Sequence, residues 1–354
     1  MSKFFSKKYS ALKAYVPGEQ PKDQKYIKLN TNESPFSPPH SLVRAVEEEA
    51  RRLQLYSDPE CTPLVNICAE YFGVKPSQIL MTNGSDEILN FAFMAFCDSE
   101  HPIAFPDITY GFYPVFAKLN GIPYEEIPLC EDFTVNAEDY VGIGKNIIIA
   151  NPNAPTGIAL PLSDIERIVA SNPDNIVIID EAYVDFGGES AVGLVDKYDN
   201  LIVTQTFSKS RSLAGARLGF AVASAPLIAD MNTIKYSTNP YNVNRMTMVA
   251  GVKAIEEDAY FKNCIEKIKQ NREFTKSALE SLGFEVLDSR TNFLFARSDR
   301  ISGEELYTRL KAAGILVRHF SAERIKEFNR ITVGTREDME KLIETVKEIL
   351  GADR

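Results

Sequence analysis

"NLIVTQTFSKSRSLAGARLGF", residues 200–220, decides how this chain is read. Its first half is a run of apolar and β-branched residues, as expected of a short strand buried on both faces. Its second half is rich in small residues. Lys209 sits at the junction, and Arg217 follows it. A lysine desolvated at the end of a buried strand would offer a nucleophilic amine able to form a Schiff base. A lone lysine there is more often merely solvated, so the reading depends on what stands around it.

Upstream, "PIAF" (102–105), "NIIIA" (146–150) and "NIVIID" (175–180) repeat the strand pattern. Helical stretches lie between them: "GSDEILNFAFMAFC" (84–97), "YGFYPVFAKL" with Pro114 starting or breaking it, and "SDIERIVAS". The alternation predicts an α/β fold, a mainly parallel sheet covered by helices on both faces. "SLVRAVEEEARRL" (41–53) predicts a helix with Ser41 as a candidate cap. Beyond Ala250 the pattern changes. "YFKNCIEKIKQNREFTKSALESLG" (260–283) predicts a long amphipathic helix stopped by Gly283. "FEVL", "NFLFAR", "ILVRHF" and "RITVG" predict short strands, with "GEELYTRLKAAG" and "REDMEKLIETVKEIL" as helices. The expected organisation is an N-terminal arm (1–40), a large domain (41–245) and a smaller α+β C-terminal domain (246–354).

Composition narrows the function classes. The chain has 354 residues, 44% hydrophobic and 25% charged, which suits two globular domains. Its net charge of −10 disfavours nucleic acid or an anionic membrane as partner. An anionic substrate therefore needs a local arginine cluster. The five cysteines are scattered, with no metal-ligand spacing, and suit a reducing compartment. His40, His101 and His319 are far apart and read as ordinary histidines rather than metal ligands. The basic N-terminus has no apolar segment behind it, so a cytoplasmic location is expected.

Parallel sheets bind ligands at the carboxyl ends of their strands. Four polar signals fall at such ends: Asn83–Asp86, Asn151–Gly157, Asp180–Tyr183 and Ser208–Lys209. Singly, each has a plain reading: Asp180 as a helix cap, Arg217 as a surface ion pair, Gly84 as a turn. Together they supply what pyridoxal phosphate needs. Lys209 meets an aldehyde, Asp180 a protonated ring nitrogen and Tyr183 a ring oxygen. The helix start at Gly84, Ser85 and Asp86, with Ser208 and Arg217, meets a phosphate.

These motifs resemble the fold-type-I pyridoxal-phosphate aminotransferases. "LNTNESPF" (29–36), "TNGSDEIL" (82–89), "NPNAPTG" (151–157), "DEAYVDF" (180–186) and "RITVGTREDM" (330–339) are similar to the histidinol-phosphate aminotransferase subfamily over nearly the whole chain. The resemblance implies a mostly parallel seven-stranded sheet between helices. It also implies transamination between L-histidinol phosphate and 2-oxoglutarate, giving imidazole-acetol phosphate and L-glutamate in histidine biosynthesis. Lys209 would carry the cofactor and move the proton at the substrate carbon, with Asp180 and Tyr183 on the ring. Tyr110 would stack on the ring, and Thr206 would join the phosphate cradle. Tyr56 would reach the cofactor phosphate of the partner subunit in a homodimer. Asn32, Arg330, Arg318 and Tyr15 would bind substrate, Arg330 taking the carboxylate and Arg318 and Tyr15 the distal anion. Apart from the resemblance, Tyr241 and Asn242 fall in the linker between the expected domains, which usually borders the cleft.

The sequence departs from the subfamily at Ala154, where an asparagine usually precedes "PTG" and bonds the ring oxygen. Asn153 or Asn151 would substitute by a shift, or Tyr183 would hold the oxygen alone. A threonine-phosphate decarboxylase and a broad-specificity aromatic aminotransferase share the lysine, the aspartate and the phosphate cradle. A nicotinamide dehydrogenase does not fit, because GxGxxG is missing after an early strand.

Overall fold

The computed structural model describes residues 2–10, 12 and 18–351. In chain order its elements are β1 (Ile27–Lys28), α1 (His40–Ala50), α2 (Thr62–Phe72), β2 (Ile79–Thr82), α3 (Ser85–Phe96), β3 (Ile103–Pro106) and α4 (Tyr113–Asn120). Then come β4 (Tyr124–Ile127), β5 (Asn146–Ala150), α5 (Leu162–Ser171), β6 (Val177–Asp180), β7 (Leu201–Thr206), β8 (Gly219–Ala223), α6 (Ala225–Thr238) and α7 (Arg245–Glu256). The chain ends with α8 (Asp258–Ser281), β9 (Phe284–Val286), β10 (Phe293–Ser298), α9 (Gly303–Ala312), β11 (Ile315–Leu316), β12 (Arg318–His319), β13 (Asn329–Thr332) and α10 (Arg336–Leu350).

A seven-stranded sheet in the order β2-β8-β7-β6-β5-β3-β4 organises the first two thirds. Five neighbouring strands are parallel; β8 runs antiparallel to both β7 and β2. The period of two sends alternate side chains to opposite faces. Ile147, Ile149, Val177, Ile179, Leu201 and Val203 enter a core with α2, α5 and α7. Ile148, Ile178 and Ile202 enter a second core with α3, α4 and α6. Both faces are therefore covered, which is why these strands read as unbroken apolar runs.

A four-stranded antiparallel sheet, β12-β13-β10-β9, carries the third core, with α8, α9 and α10 packed on Leu294, Ala296 and Ile331. Helix α7 packs on α1 and α2 beside the large sheet. Helix α8 runs from that core, at Phe261, into the third, at Ile265, Ile268 and Leu279. Local signals set the ends. Thr335 and Asp338 form a capping box at the start of α10, and Gly283 lies just past α8 at φ +85°.

Two expectations change in detail. The first helix starts at His40 after Pro39; Ser41 is inside it, bonded to Glu257 across 2.5 Å instead of capping. "ILVRHF" is not one strand. Ile315–Leu316 pairs with β1 of the arm, whereas Arg318–His319 pairs with β13. Val317 between them is buried, so the chain turns from one sheet to the other around an apolar pivot.

Candidate active site

A cavity of about 190 Å³ opens at the carboxyl ends of β5, β6 and β7. Asp180, Lys209, Tyr183 and Tyr110 line it, with Thr206, Ser208, Arg217, Ser85 and Asp86. Strand β6 delivers Asp180 to its floor, where the residue is 4% exposed. Tyr113 donates to Asp180 Oδ2 at 2.8 Å, while Oδ1 is buried and has no hydrogen-bond partner. Burial pushes the Asp180 carboxyl up to about 6, and the negative charge of Asp86 adds to that; the Tyr113 bond, the Ala182 backbone N–H and the charge of Lys209 pull the other way. A buried acceptor without a partner is costly. Here it marks the place of a donor, best a cationic N–H.

Lys209 stands past the end of β7. Its Nζ is 3.3 Å from the Thr31 carbonyl and 5.8 Å from the centre of the Tyr183 ring. Tyr183 accepts from Asn32 Nδ2 at 2.9 Å, and Asn32 Oδ1 accepts from Thr332 at 2.9 Å. Asn32 has φ +57°, and Asn292 donates to its carbonyl. An arm residue is thus tied to both sheets beside the cavity.

At the opposite end Gly84 precedes α3 at φ +86°, and Ser85 and Asp86 present the helix start to the cavity. Arg217 Nη2 lies 3.2 Å from Asp86, and Nη1 is 3.5 Å from Ser208 Oγ. Tyr110 donates to the other Asp86 oxygen at 2.8 Å. A Cβ on Gly84 would come within 2.6 Å of Arg217 Nη2, and one on Gly219 within 2.4 Å of Ser85 N. Both glycines let the guanidinium and β8 approach the helix start. Backbone N–H groups, a guanidinium and hydroxyls converging on one point form an anion site. The cavity therefore suits a flat ring with an N–H at Asp180, an electrophilic carbon near Lys209 and an anionic tail at Arg217.

The remaining expected residues fall outside this lining. Asn153 is buried and donates to the Ile108 carbonyl and Thr156, while accepting from Thr109. Asn151 bonds the Leu160 backbone in both directions. Neither lines the cavity; Ala154 does, and of the substitutes expected for the missing asparagine only Tyr183 faces in. Arg318 and Arg330 are direct cross-strand partners on β12 and β13. Arg330 donates to the Asn30 carbonyl at 3.0 Å and lies over Phe293 and Phe320; Arg318 also lies over Phe320. Tyr56 is 81% exposed and stacks on Tyr241 at 4.8 Å, away from this chain's cavity. Asn242 bonds Glu87 in the first turn of α3. Tyr15 lies outside the described residues. Sequence reasoning missed Tyr113. Its signal was its place just before Pro114, in the first turn of a helix, one turn beyond Tyr110.

The chain matches the family model described as aminotransferase class I and II over residues 24–346. A histidinol-phosphate aminotransferase of Brachyspira hyodysenteriae is 49% identical over 352 residues, covering 99% of each chain. One from Clostridium acetobutylicum is 45% identical, covering 99% of this chain and 100% of its own. A crystal structure of histidinol-phosphate aminotransferase from Sinorhizobium meliloti in complex with pyridoxal-5'-phosphate superposes with a TM-score of 0.90 at 21% identity, covering 100% of this chain and 99% of that one.

Proposed function

The chain belongs to the class I and II aminotransferase family, and on that footing we propose that it moves the amino group of L-histidinol phosphate to 2-oxoglutarate, yielding imidazole-acetol phosphate and L-glutamate. The observation that carries this reading is full-length similarity to histidinol-phosphate aminotransferases at 45% and 49% identity. It places the enzyme in histidine biosynthesis.

Pyridoxal 5'-phosphate, when bound, supplies an aldehyde that exchanges amino groups and a ring that draws electron density from the reacting carbon. Asp180 Oδ1 would be the partner for its ring nitrogen, and Tyr183 the partner for its ring oxygen. Tyr110 would lie against the ring. Gly84, Ser85, Asp86, Thr206, Ser208 and Arg217 would hold the phosphate. Lys209 would hold the aldehyde end through its amine, and that amine is also the candidate base for the proton at the substrate carbon. Its contact with the Thr31 carbonyl keeps it beside the arm.

One substrate brings a carboxylate and the other a phosphate. Guanidinium forks suit both anions. We assign Arg330 to the carboxylate of glutamate and Arg318, with Tyr15, to the distal anion; Asn32 steadies the wall between them. Tyr56 is assigned to a homodimer interface, where it reaches the phosphate in the partner's site. Its exposure and its stacking on Tyr241 support that placement. We divide the large cofactor domain from the smaller C-terminal domain within α8 (Asp258–Ser281), past the boundary expected near residue 245, because α7 packs in the large-sheet core. Five unpaired thiols fit a cytoplasmic setting, and among the described residues no helix is long and apolar enough to cross a membrane.

The test is direct. Incubation with histidinol phosphate and 2-oxoglutarate should release glutamate. Carbon dioxide from threonine phosphate in its place would replace this reading by a decarboxylase.

A further inference from the structure

We propose that Tyr113 is a positioning residue for the cofactor ring: its phenol holds one oxygen of Asp180 so that the other is presented, ionised, to the ring nitrogen. The proposal rests on the cofactor reading above.

Tyr113 is the first residue of α4, and its side chain is fully buried. It touches three features of the site at once. Its hydroxyl donates to Asp180 Oδ2 at 2.8 Å. Its ring meets the Tyr110 ring edge-on, with centres 5.6 Å apart and planes at 83°. It also meets Phe105 of β3, with ring centres 5.8 Å apart. One rigid side chain therefore fixes both the carboxylate under the ring and the aromatic that covers it.

The chemistry follows from which group donates. Burial and the neighbouring carboxylate push the Tyr113 phenol well above its ordinary range, so it stays protonated and donates to Asp180. With Oδ2 held by that donor, Oδ1 is the carboxylate oxygen left buried without a partner. The bond also favours the ionised acid against the burial that disfavours it. The charged and titratable groups facing the pair are Asp86, Lys209, Tyr110 and Tyr183. Without the phenol, Asp180 would lose the side-chain donor at Oδ2, and the neutral acid would gain ground. The ring nitrogen would then meet a weaker acceptor.

The discriminating experiment measures ring-nitrogen recognition rather than turnover. Apoenzyme, as parent and as Tyr113→Phe, is titrated with pyridoxal phosphate and with its 1-deaza analogue, whose ring carries C–H in place of nitrogen. The parent should prefer the nitrogen ring. Tyr113→Phe should reduce that preference by about tenfold, the scale of one hydrogen bond to a charged group, while leaving deaza affinity near the parent's. In an Asp180→Asn background the same change should have no effect on the preference. If Tyr113→Phe does not fold, Tyr113→3-fluorotyrosine, a better donor of nearly the same shape, should raise the preference. A variant that keeps the parent's preference overturns the proposal alone. A parent with no preference, or no binding, overturns it together with the cofactor reading. A purely structural role would weaken both ligands equally and would also overturn it.

Discussion

Arg318 and Arg330 face each other directly across antiparallel strands β12 and β13. Like charges at such a pair are destabilising unless something offsets them. Phe320 lies beneath both guanidiniums, and the Asn30 carbonyl takes a hydrogen bond from Arg330. An anion arriving between them would add to that offset, as the proposed substrate role requires.

Arg330→Ala should therefore lower kcat/KM for glutamate by about tenfold to a hundredfold, the scale of a lost charge-assisted hydrogen bond. The effect on histidinol phosphate, which has no carboxylate on the reacting carbon, should be smaller. Arg318→Ala should weaken both substrates. Steady-state kinetics of each half-reaction would separate the two arginines; equal losses for both variants on both substrates would refute the assignment.

Lys209→Ala should abolish the adduct trapped by borohydride and lower the rate by at least about a hundredfold to ten-thousandfold, the range for a lost acid–base group. Peptide mapping of the reduced parent should place the adduct on Lys209. An adduct on another lysine would break the whole reading of the cavity.

Gly84→Ala should weaken cofactor binding by about tenfold. The residue has φ +86°, and its Cβ would press on Arg217 Nη2 at 2.6 Å, costing about 1 kcal/mol or more in strain and displacement. Gly73→Ala is the control: φ there is +69°, with nothing within 4 Å of the added carbon. It should lower the melting temperature without changing cofactor affinity, as read by absorbance titration.

The apoenzyme should lose stability as pH rises through the titration of Asp180. Burial raises this carboxyl to about 6 from an ordinary 3.8, so the folded state binds the proton more tightly than the unfolded chain. The resulting stabilisation is full below about 4 and disappears as pH rises through about 6, with a limiting slope of about 1.4 kcal/mol per pH unit. Denaturant unfolding of apo parent and apo Asp180→Asn at pH 4.5 and pH 7 should show the parent losing ground to the variant. Saturating pyridoxal phosphate should shrink the difference, since a cationic ring partner favours the ionised acid.

The central strands were legible because both faces are buried: "NIIIA" is β5 residue for residue. The end of the sheet was harder to read. Strand β8, "GFAVA", opens on Gly219 because that residue passes against the backbone of Ser85, and that close approach is invisible in a linear reading. Helices α2, α6 and α7 also went unread. Helix α6 has apolar residues on several sides, and α2 starts after Cys61 in a left-handed conformation that no residue type there announces. Around the cavity, Lys209, Asp180, Tyr183 and Arg217 were legible because each follows a strand end or a motif of fixed spacing. Tyr113 was not, because its partner Asp180 is 67 residues away in the chain. Asn153 looked like a ring ligand by position, whereas its amide is spent on the Ile108 carbonyl and on Thr156.

The three-way tie at Asn32, joining Tyr183 to Thr332 and receiving Asn292, bears on how such enzymes can be recombined. A chimera that exchanged only the C-terminal third between two relatives would set a foreign Thr332 and Asn292 against a native Asn32. The natural crossover unit is discontinuous: residues 27–32 should travel with 290–332. Libraries that respect that grouping should yield more folded hybrids than libraries cut at a single point.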